Sequence, residues 1–140
     1  MEFSKIVAFK LGEEEYGLDI NCIQSIERIE HITRVPNAPV YVKGVINLRG
    51  NVTPVIDLKN KLGLGHTEFT DMSRVIITKL EEIELGMIVD QTNDVIDIAA
   101  DSIEAAASSF DSAYFDGVAK VAGRLIILLK LEELMKTGAV

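Results

Sequence analysis

Short apolar stretches, separated by glycine and charged residues, follow one another along almost the whole chain. Alternation of apolar and polar residues, with many β-branched side chains, is typical of β-strands rather than helices. The pattern predicts ten strands: Ser4–Leu11, Glu14–Ile20, Ile23–Ile29, Lys43–Leu48, Val52–Ile56, Arg74–Leu80, Glu84–Val89, Asp94–Ile98, Gly117–Val121 and Leu125–Leu129.

The first strand is apolar on both of its faces. Ile6 and Ala8 share one face and Val7 and Phe9 share the other, which is expected of a strand buried on two sides. Two short helices are predicted in addition. Leu58–Leu62 follows Asp57, a plausible N-cap, and ends at Gly63, while Leu131–Lys136 lies near the end of the chain.

The sequence repeats itself. At an offset of 69 residues, six positions are identical, and at an offset of 73 another five are. The matched pairs are Ser4/Ser73, Lys10/Lys79, Leu11/Leu80, Glu13/Glu82, Glu15/Glu84, Gly17/Gly86, Tyr41/Tyr114, Gly44/Gly117, Val45/Val118, Gly50/Gly123 and Leu58/Leu131. A longer connecting loop in the second copy, around Ala105–Phe110, explains the change of offset.

Five short strands per copy predict a mainly β fold. Strand edges left bare promote aggregation, and closure into a small barrel removes them. We therefore expect two tandem five-stranded SH3-like barrels with short helices, within a single domain covering residues 1–140. Module one spans about 12–68 and module two about 69–140, with the N-terminal strand 4–11 packing across the modules. A single mixed sandwich is the alternative.

Composition and charge exclude several functional classes. The longest apolar run, Leu125–Leu129, is far shorter than the roughly 20 residues of a membrane helix, so no membrane insertion and a cytoplasmic location are predicted. One cysteine, Cys22, excludes an internal disulfide. The net charge of −8 disfavours nucleic acid. Residues 28–61 nevertheless carry +4, which is either scatter over a solvated surface or a positive face for an acidic partner.

Catalytic and metal-binding patterns are missing from the sequence. His31 and His66 are 35 residues apart and are expected on the surface. No serine lies in a nucleophile elbow, and no glycine-rich loop precedes a lysine with serine or threonine. The sequence thus predicts no catalytic residue, no metal and no cofactor. A small-ligand-binding or hydrolytic barrel that uses His31, His66 or the acidic clusters is the competing hypothesis.

The two copies differ at polar positions between their matched glycines. Gly44 and Gly50 each have a glycine counterpart and are expected to serve the architecture, through a close backbone approach or a positive φ. Asn47 corresponds to Lys120 and Arg49 to Ala122. Since the second copy closes its turn with alanine, Arg49 is either a solvated hairpin residue or an anchor on a partner-binding surface.

Several segments resemble the CheW family of bacterial chemotaxis adaptors. Glu15–Ile20 resembles the family's opening motif, and Val35–Pro39 followed by Val42–Gly50 resembles its most characteristic segment. Val52–Leu58 and Gly123–Leu129 continue the resemblance, which extends from about Ser4 to Met135.

The resemblance implies the CheW-like fold and a non-enzymatic adaptor without a cofactor. Its partners would be the cytoplasmic domain of chemoreceptors, bound at the hairpin tip, and the regulatory domain of the histidine kinase CheA. Carried over by position, Ile23, Gly44, Asn47 and Arg49 are the receptor-binding or coupling residues. No kinase-binding residue is assigned, although one contact is expected around Glu84–Val95.

One position departs from the family pattern. Where the family often has a glutamate able to pair with the arginine at Arg49, this chain has Ser25. Glu27, two residues on and on the same face of the strand, is the expected substitute. A detached regulatory domain of CheA or coupling domain of CheV is the nearest alternative, which the start at Met1 and the lack of a kinase or receiver segment disfavour.

Overall fold

The computed structural model describes residues 3–105 and 113–137 and is mainly β, as predicted. All ten predicted strands are present, and their ends lie within a few residues of the predicted bounds. An eleventh strand of three residues was not predicted. The strands are β1 (Phe3–Leu11), β2 (Glu14–Asp19), β3 (Ile23–Arg28), β4 (Val42–Leu48), β5 (Asn51–Asp57), β6 (Arg74–Leu80), β7 (Ile83–Val89), β8 (Gln91–Ala99), β9 (Ile103–Ala105), β10 (Phe115–Val121) and β11 (Arg124–Leu129), and the helices are α1 (Leu58–Lys61) and α2 (Leu131–Thr137).

The strands form two sheets with the same plan. One sheet has the order β3-β6-β7-β5-β4 and the other β8-β1-β2-β11-β10-β9. Each contains a central antiparallel hairpin, β6-β7 or β1-β2, which pairs in parallel with the second strand of another hairpin, β4-β5 or β10-β11. The longer loop predicted around residues 105–110 lies largely outside the described residues.

Each sheet takes strands from both copies of the repeat. The hairpin β1-β2 belongs to the first copy and lies in the sheet of β8, β10 and β11, whereas β6-β7 of the second copy lies with β3, β4 and β5. The reason is the length of the connections. A single residue, Asp90, links β7 to β8. Because one residue is too few for a hairpin turn, the chain continues into the other sheet. Neither sheet is therefore built from residues 12–68 or from residues 69–140 alone.

Both sheets curve towards closure. In the five-stranded sheet, Thr33 and Val45 exchange two backbone hydrogen bonds of 2.9 and 2.8 Å, which bring the segment after β3 back to the opposite edge strand, β4. In the six-stranded sheet, β8 forms one edge and leads through residues 100–102 into β9, which forms the other edge. The chain thus wraps each sheet towards a barrel.

Three apolar clusters account for the burial of strands on both faces. One lies inside each barrel, and the third lies between the barrels and includes both helices. Strand β1 contributes Ile6 and Ala8 to the interior of its own barrel and Phe9 and Leu11 to the shared cluster, as its sequence pattern predicts. The shared cluster makes the two barrels one packed unit.

The structure confirms Asp57 as the N-cap residue of α1, although its side chain bonds elsewhere. Asp57 occupies the N-cap position, but its carboxylate makes no capping hydrogen bond. It is buried and instead accepts hydrogen bonds from the backbone nitrogen and Oγ1 of Thr67, at 2.9 and 2.8 Å. The carboxylate therefore fixes the loop after α1. At the other end of the helix, Gly63 has a φ of 79°, which confirms the predicted helix stop.

Candidate functional site

A groove opens in the five-stranded barrel between its two edge strands. It has a volume of about 290 Å³ and lies between the end of β3, the segment that follows, and the second half of β4. Ile32, Ile46 and Leu48 line it and pack, partly buried, on the core cluster inside the barrel. Glu27, Arg28 and Asn47 supply polar groups. The groove thus exposes part of the barrel core behind a polar rim.

Arg49 lies at the turn that follows the groove-lining part of β4. Arg49 and Gly50 both have positive φ, 53° and 88°, as a type I′ hairpin turn requires. Ala122 and Gly123 of the second copy have nearly the same values, 50° and 82°. The turn therefore forms equally with alanine, and the arginine side chain, which is 75% exposed, is not needed for its geometry.

Asn47 stabilises this turn from within β4. Its Oδ1 accepts a hydrogen bond of 3.0 Å from the backbone nitrogen of Gly50, and the residue also lines the groove. The counterpart Lys120 makes an ion pair with Glu104 instead, with 2.5 Å between Nζ and Oε2. Asn47 therefore combines a structural contact with an exposed position on the rim.

Glu27 takes the place of the missing glutamate, as predicted. Its Oε2 lies 3.9 Å from Nη2 of Arg49, and the pair links the end of β3 to the β4-β5 turn. The Oγ of Ser25, two residues earlier on the same face, is buried and has no hydrogen-bond partner among the described residues.

Gly44 allows the backbone of Thr33, which lines the groove, to touch the backbone of β4. A Cβ atom at this position would overlap the carbonyl oxygen of Thr33. At the matching Gly117, a Cβ would lie 2.5 Å from the carbonyl oxygen of Glu104. The predicted close backbone approach is confirmed in both copies, so Gly44 has an architectural role.

Ile23 is the one predicted site residue that lies away from the groove. It begins β3, four residues before Glu27, which separates the two by about 13 Å along the strand. Its side chain is partly buried against the cluster shared by the barrels. Gly44, Asn47 and Arg49 therefore lie on β4 and its turn, whereas Ile23 lies on β3, at the end of that strand away from Glu27.

The positive charge of residues 28–61 is distributed over several environments. Lys59 pairs with Asp90 at 3.4 Å, and Nζ of Lys61 lies 3.9 Å above the ring of Tyr41. Arg49 lies near Glu27, so Lys59 and Arg49 have a carboxylate partner among the six cations of the segment, which are Arg28, Arg34, Lys43, Arg49, Lys59 and Lys61. Arg34 and Lys43 line a separate concave surface together. The positive face is therefore smaller than the charge count suggests.

Arg124 organises a polar cluster that the sequence did not reveal. Its guanidinium donates hydrogen bonds to both carboxylate oxygens of Glu15, at 3.0 and 2.6 Å, and to those of Asp94, at 3.1 and 3.0 Å. These bonds lower the pKa of both carboxyl groups and raise the pKa of the arginine. In the sequence, Arg124 stands beside the apolar run Leu125–Leu129, and its partners are not evident because Glu15 and Asp94 are distant along the chain.

Both histidines lie on the surface of the protein. His31 and His66 are both exposed, as predicted, and a ring nitrogen of His66 lies 3.4 Å from the amide of Asn60. Within residues 3–105 and 113–137, no group of three or more His, Cys, Asp or Glu side chains is placed to hold a metal ion. In the same part of the chain, no helix is long and apolar enough to cross a membrane.

Known proteins share this sequence pattern and this architecture. Residues 5–139 match the model of the CheW-like domain. The chain is 46% identical over 102 residues to the chemotaxis protein CheW of Bacillus subtilis, and the aligned region covers 73% of this chain and 65% of that protein. It is 33% identical over 136 residues to CheW of Klebsiella aerogenes, covering 95% and 82%. The crystal structure of the scaffolding protein TtCheW from Thermoanaerobacter tengcongensis superposes with a TM-score of 0.86 at 40% identity, covering 92% of this chain and 90% of that one.

Proposed function

The chain belongs to the CheW-like domain family, and on this basis we propose that it is a non-catalytic chemotaxis scaffold coupling chemoreceptors to the histidine kinase CheA. The observation that carries the proposal is its likeness in fold and sequence, over nearly the whole chain, to a solved scaffolding protein. The exposed histidines and the partly open barrel core agree with a binding role rather than with turnover.

We propose that the groove between β3 and β4 receives the helical hairpin tip of the receptor. Apolar side chains of an amphipathic helix would contact Ile32, Ile46 and Leu48 on the floor, in the helix-in-groove mode. Arg49 and Asn47 on the rim would hydrogen-bond polar groups of the helix. A partly exposed apolar floor with a polar rim is the usual anatomy of such an interface.

Two of the predicted receptor-binding residues would act differently from Arg49. Gly44 would support binding indirectly, because it allows Thr33 to form the wall of the groove. Ile23 would contact the receptor only if the bound helix extended along β3 towards the junction of the two barrels. Arg49 and Asn47 would therefore be the residues that contact the receptor directly.

For the kinase, we propose the exposed end of the segment Glu84–Val95. Residues 85–89 of β7 are buried, so only the part on β8 offers side chains to a partner. Val95 is 54% exposed there and offers a partner an apolar side chain. The regulatory domain of CheA would cover this side chain.

Binding to two purified fragments tests the proposal. The wild-type chain should bind a receptor cytoplasmic fragment and the CheA regulatory domain, measured by amide chemical-shift titration. Arg49→Ala should weaken receptor binding about tenfold, since a rim contact to a polar group contributes about 1–1.5 kcal/mol, and should leave kinase binding unchanged. Val95→Glu should weaken binding to the CheA regulatory domain and leave receptor binding unchanged.

The second copy supplies a matched control. Ala122→Arg introduces an arginine in the same turn geometry in the other barrel. Combined with Arg49→Ala, it should not restore receptor binding, because the groove lies beside the first turn only. A wild-type chain that binds neither fragment would refute the adaptor function.

A further inference from the structure

A second concave surface lies beside the groove, on the other side of Ile32. It is about 370 Å³ in volume and is lined by Arg34, Val40, Lys43, His66 and Phe69. The loop 34–43 forms an adjoining hollow of about 440 Å³. Neither the receptor groove nor the proposed kinase contact includes these five residues. We call them the basic aromatic surface.

Large apolar side chains are exposed on this surface. Val40 is 73% exposed and Phe69 is 51% exposed. Removing such side chains from water on binding is favourable by about 25 cal/mol per Å², which makes exposed apolar groups in a concavity typical of binding sites. The surface therefore offers an apolar anchor point for a partner.

The charge of the surface is entirely positive. Arg34 and Lys43 have no carboxylate within 4.0 Å among residues 3–105 and 113–137, although the protein as a whole carries −8. Nζ of Lys43 lies 6.0 Å from the centroid of the Phe69 ring, so the cation and the aromatic group form one feature. A negatively charged partner complements such a surface.

The backbone of the loop favours a preformed site. Pro36 and Pro39 fix two φ angles, and Asn37 has a φ of 64° between them, so the loop makes a tight turn. The backbone nitrogen of Val42 donates a 2.9 Å hydrogen bond to the carbonyl oxygen of Pro39, which holds the end of the loop against β4. A loop of this kind loses little conformational entropy when a partner binds.

We propose that the basic aromatic surface is a third docking site, which binds an acidic segment of a partner protein. The segment carries carboxylates around one or more aliphatic or aromatic side chains. The carboxylates pair with Arg34 and Lys43, and the apolar side chain packs against Val40 and Phe69.

Selection from a random peptide library tests the chemistry directly. Peptides selected by the wild-type chain at low salt, after depletion on Arg34→Glu/Lys43→Glu, should be acidic and carry an apolar residue between their carboxylates. Their binding should shift the amide signals of Val40, Lys43 and Phe69. It should weaken by at least about tenfold in Arg34→Glu/Lys43→Glu and in Phe69→Ala, and it should fall with rising salt.

A charge-matched control separates local from overall electrostatics. Lys10→Glu/Lys79→Glu changes the net charge by the same amount, and neither lysine lines the surface. It should leave peptide binding nearly unchanged. Circular dichroism melts of each variant confirm that it is folded. No enrichment, enrichment of peptides without acidic residues, or shifts mapped to another surface would each overturn the proposal. The receptor experiment with Arg49→Ala is independent of all three outcomes.

Discussion

Arg49 offers a substitution that separates stability from binding. Its φ of 53° is a conformation that costs a residue with a side chain about 1–2 kcal/mol relative to the right-handed region. Arg49→Ala keeps this cost, because alanine has a Cβ as well, and Ala122 tolerates the same conformation at 50°. The substitution removes the exposed ion pair with Glu27 at 3.9 Å, and such pairs contribute about 0–1 kcal/mol.

The expected change in the free energy of unfolding for Arg49→Ala is therefore at most about 1 kcal/mol. Arg49→Gly should stabilise the protein, because glycine adopts a positive φ without steric cost. The gain, after the larger backbone entropy of glycine in the unfolded chain is subtracted, is about 0.5–1 kcal/mol, or about 2–4 °C in Tm.

Urea unfolding followed by far-ultraviolet circular dichroism measures these changes, since the chain has no tryptophan. Ala122→Gly is the matched control and should give the same gain as Arg49→Gly. Both Arg49 variants should bind the receptor fragment more weakly, although one of them is more stable. A loss above about 1.5 kcal/mol in Arg49→Ala would refute the reasoning, because it would mean that the arginine stabilises the turn.

Three further substitutions test the architecture around the site. Gly44→Ala should destabilise by about 3 kcal/mol in urea unfolding, because the new Cβ overlaps the carbonyl oxygen of Thr33; a change below about 1 kcal/mol would show that the wall yields easily. Asp57→Ala should cost about 2–3 kcal/mol, since it leaves the buried amide of Thr67 without an acceptor, and Asp57→Asn should cost less. Arg124→Ala should make stability less dependent on acid pH. Folding lowers the pKa of Glu15 and Asp94 through Arg124, so the wild type loses the stabilisation from these pairs as the pH falls below about 4.5. Equal acid sensitivity of the wild type and the variant would contradict the pairing.

The strands were predictable from the sequence because each one shows its burial in its own residues. The alternation of Ile6 and Ala8 with Phe9 even indicated burial on two faces, and the two faces pack in different clusters. The short β9 has only three residues, too few for a periodic pattern. The exchange of strands between the copies was not predictable from periodicity, because it depends on the length of connections such as Asp90 rather than on apolar pattern.

The candidate site was predictable only in part. Matched glycines indicated the turn at Gly50 and the close approach at Gly44, and both are confirmed by positive φ or by the lack of room for a Cβ. The side chain of Asp57 was assigned from its position before a helix, but its hydrogen bonds depend on Thr67, ten residues away. Contacts between distant residues, such as those of Arg124 with Glu15, leave no trace in a single sequence.

Internal duplication distinguishes residues that the barrel requires from those that it does not. Gly44 is matched by a glycine with the same steric reason, so loss of binding after its substitution would follow from loss of structure. Asn47 is unmatched but hydrogen-bonds its own turn, so its substitution would affect both stability and binding. Arg49 alone is unmatched, exposed and replaceable by alanine in an identical turn. Of these three residues, Arg49 is therefore the one whose substitution we expect to weaken binding without a loss of stability.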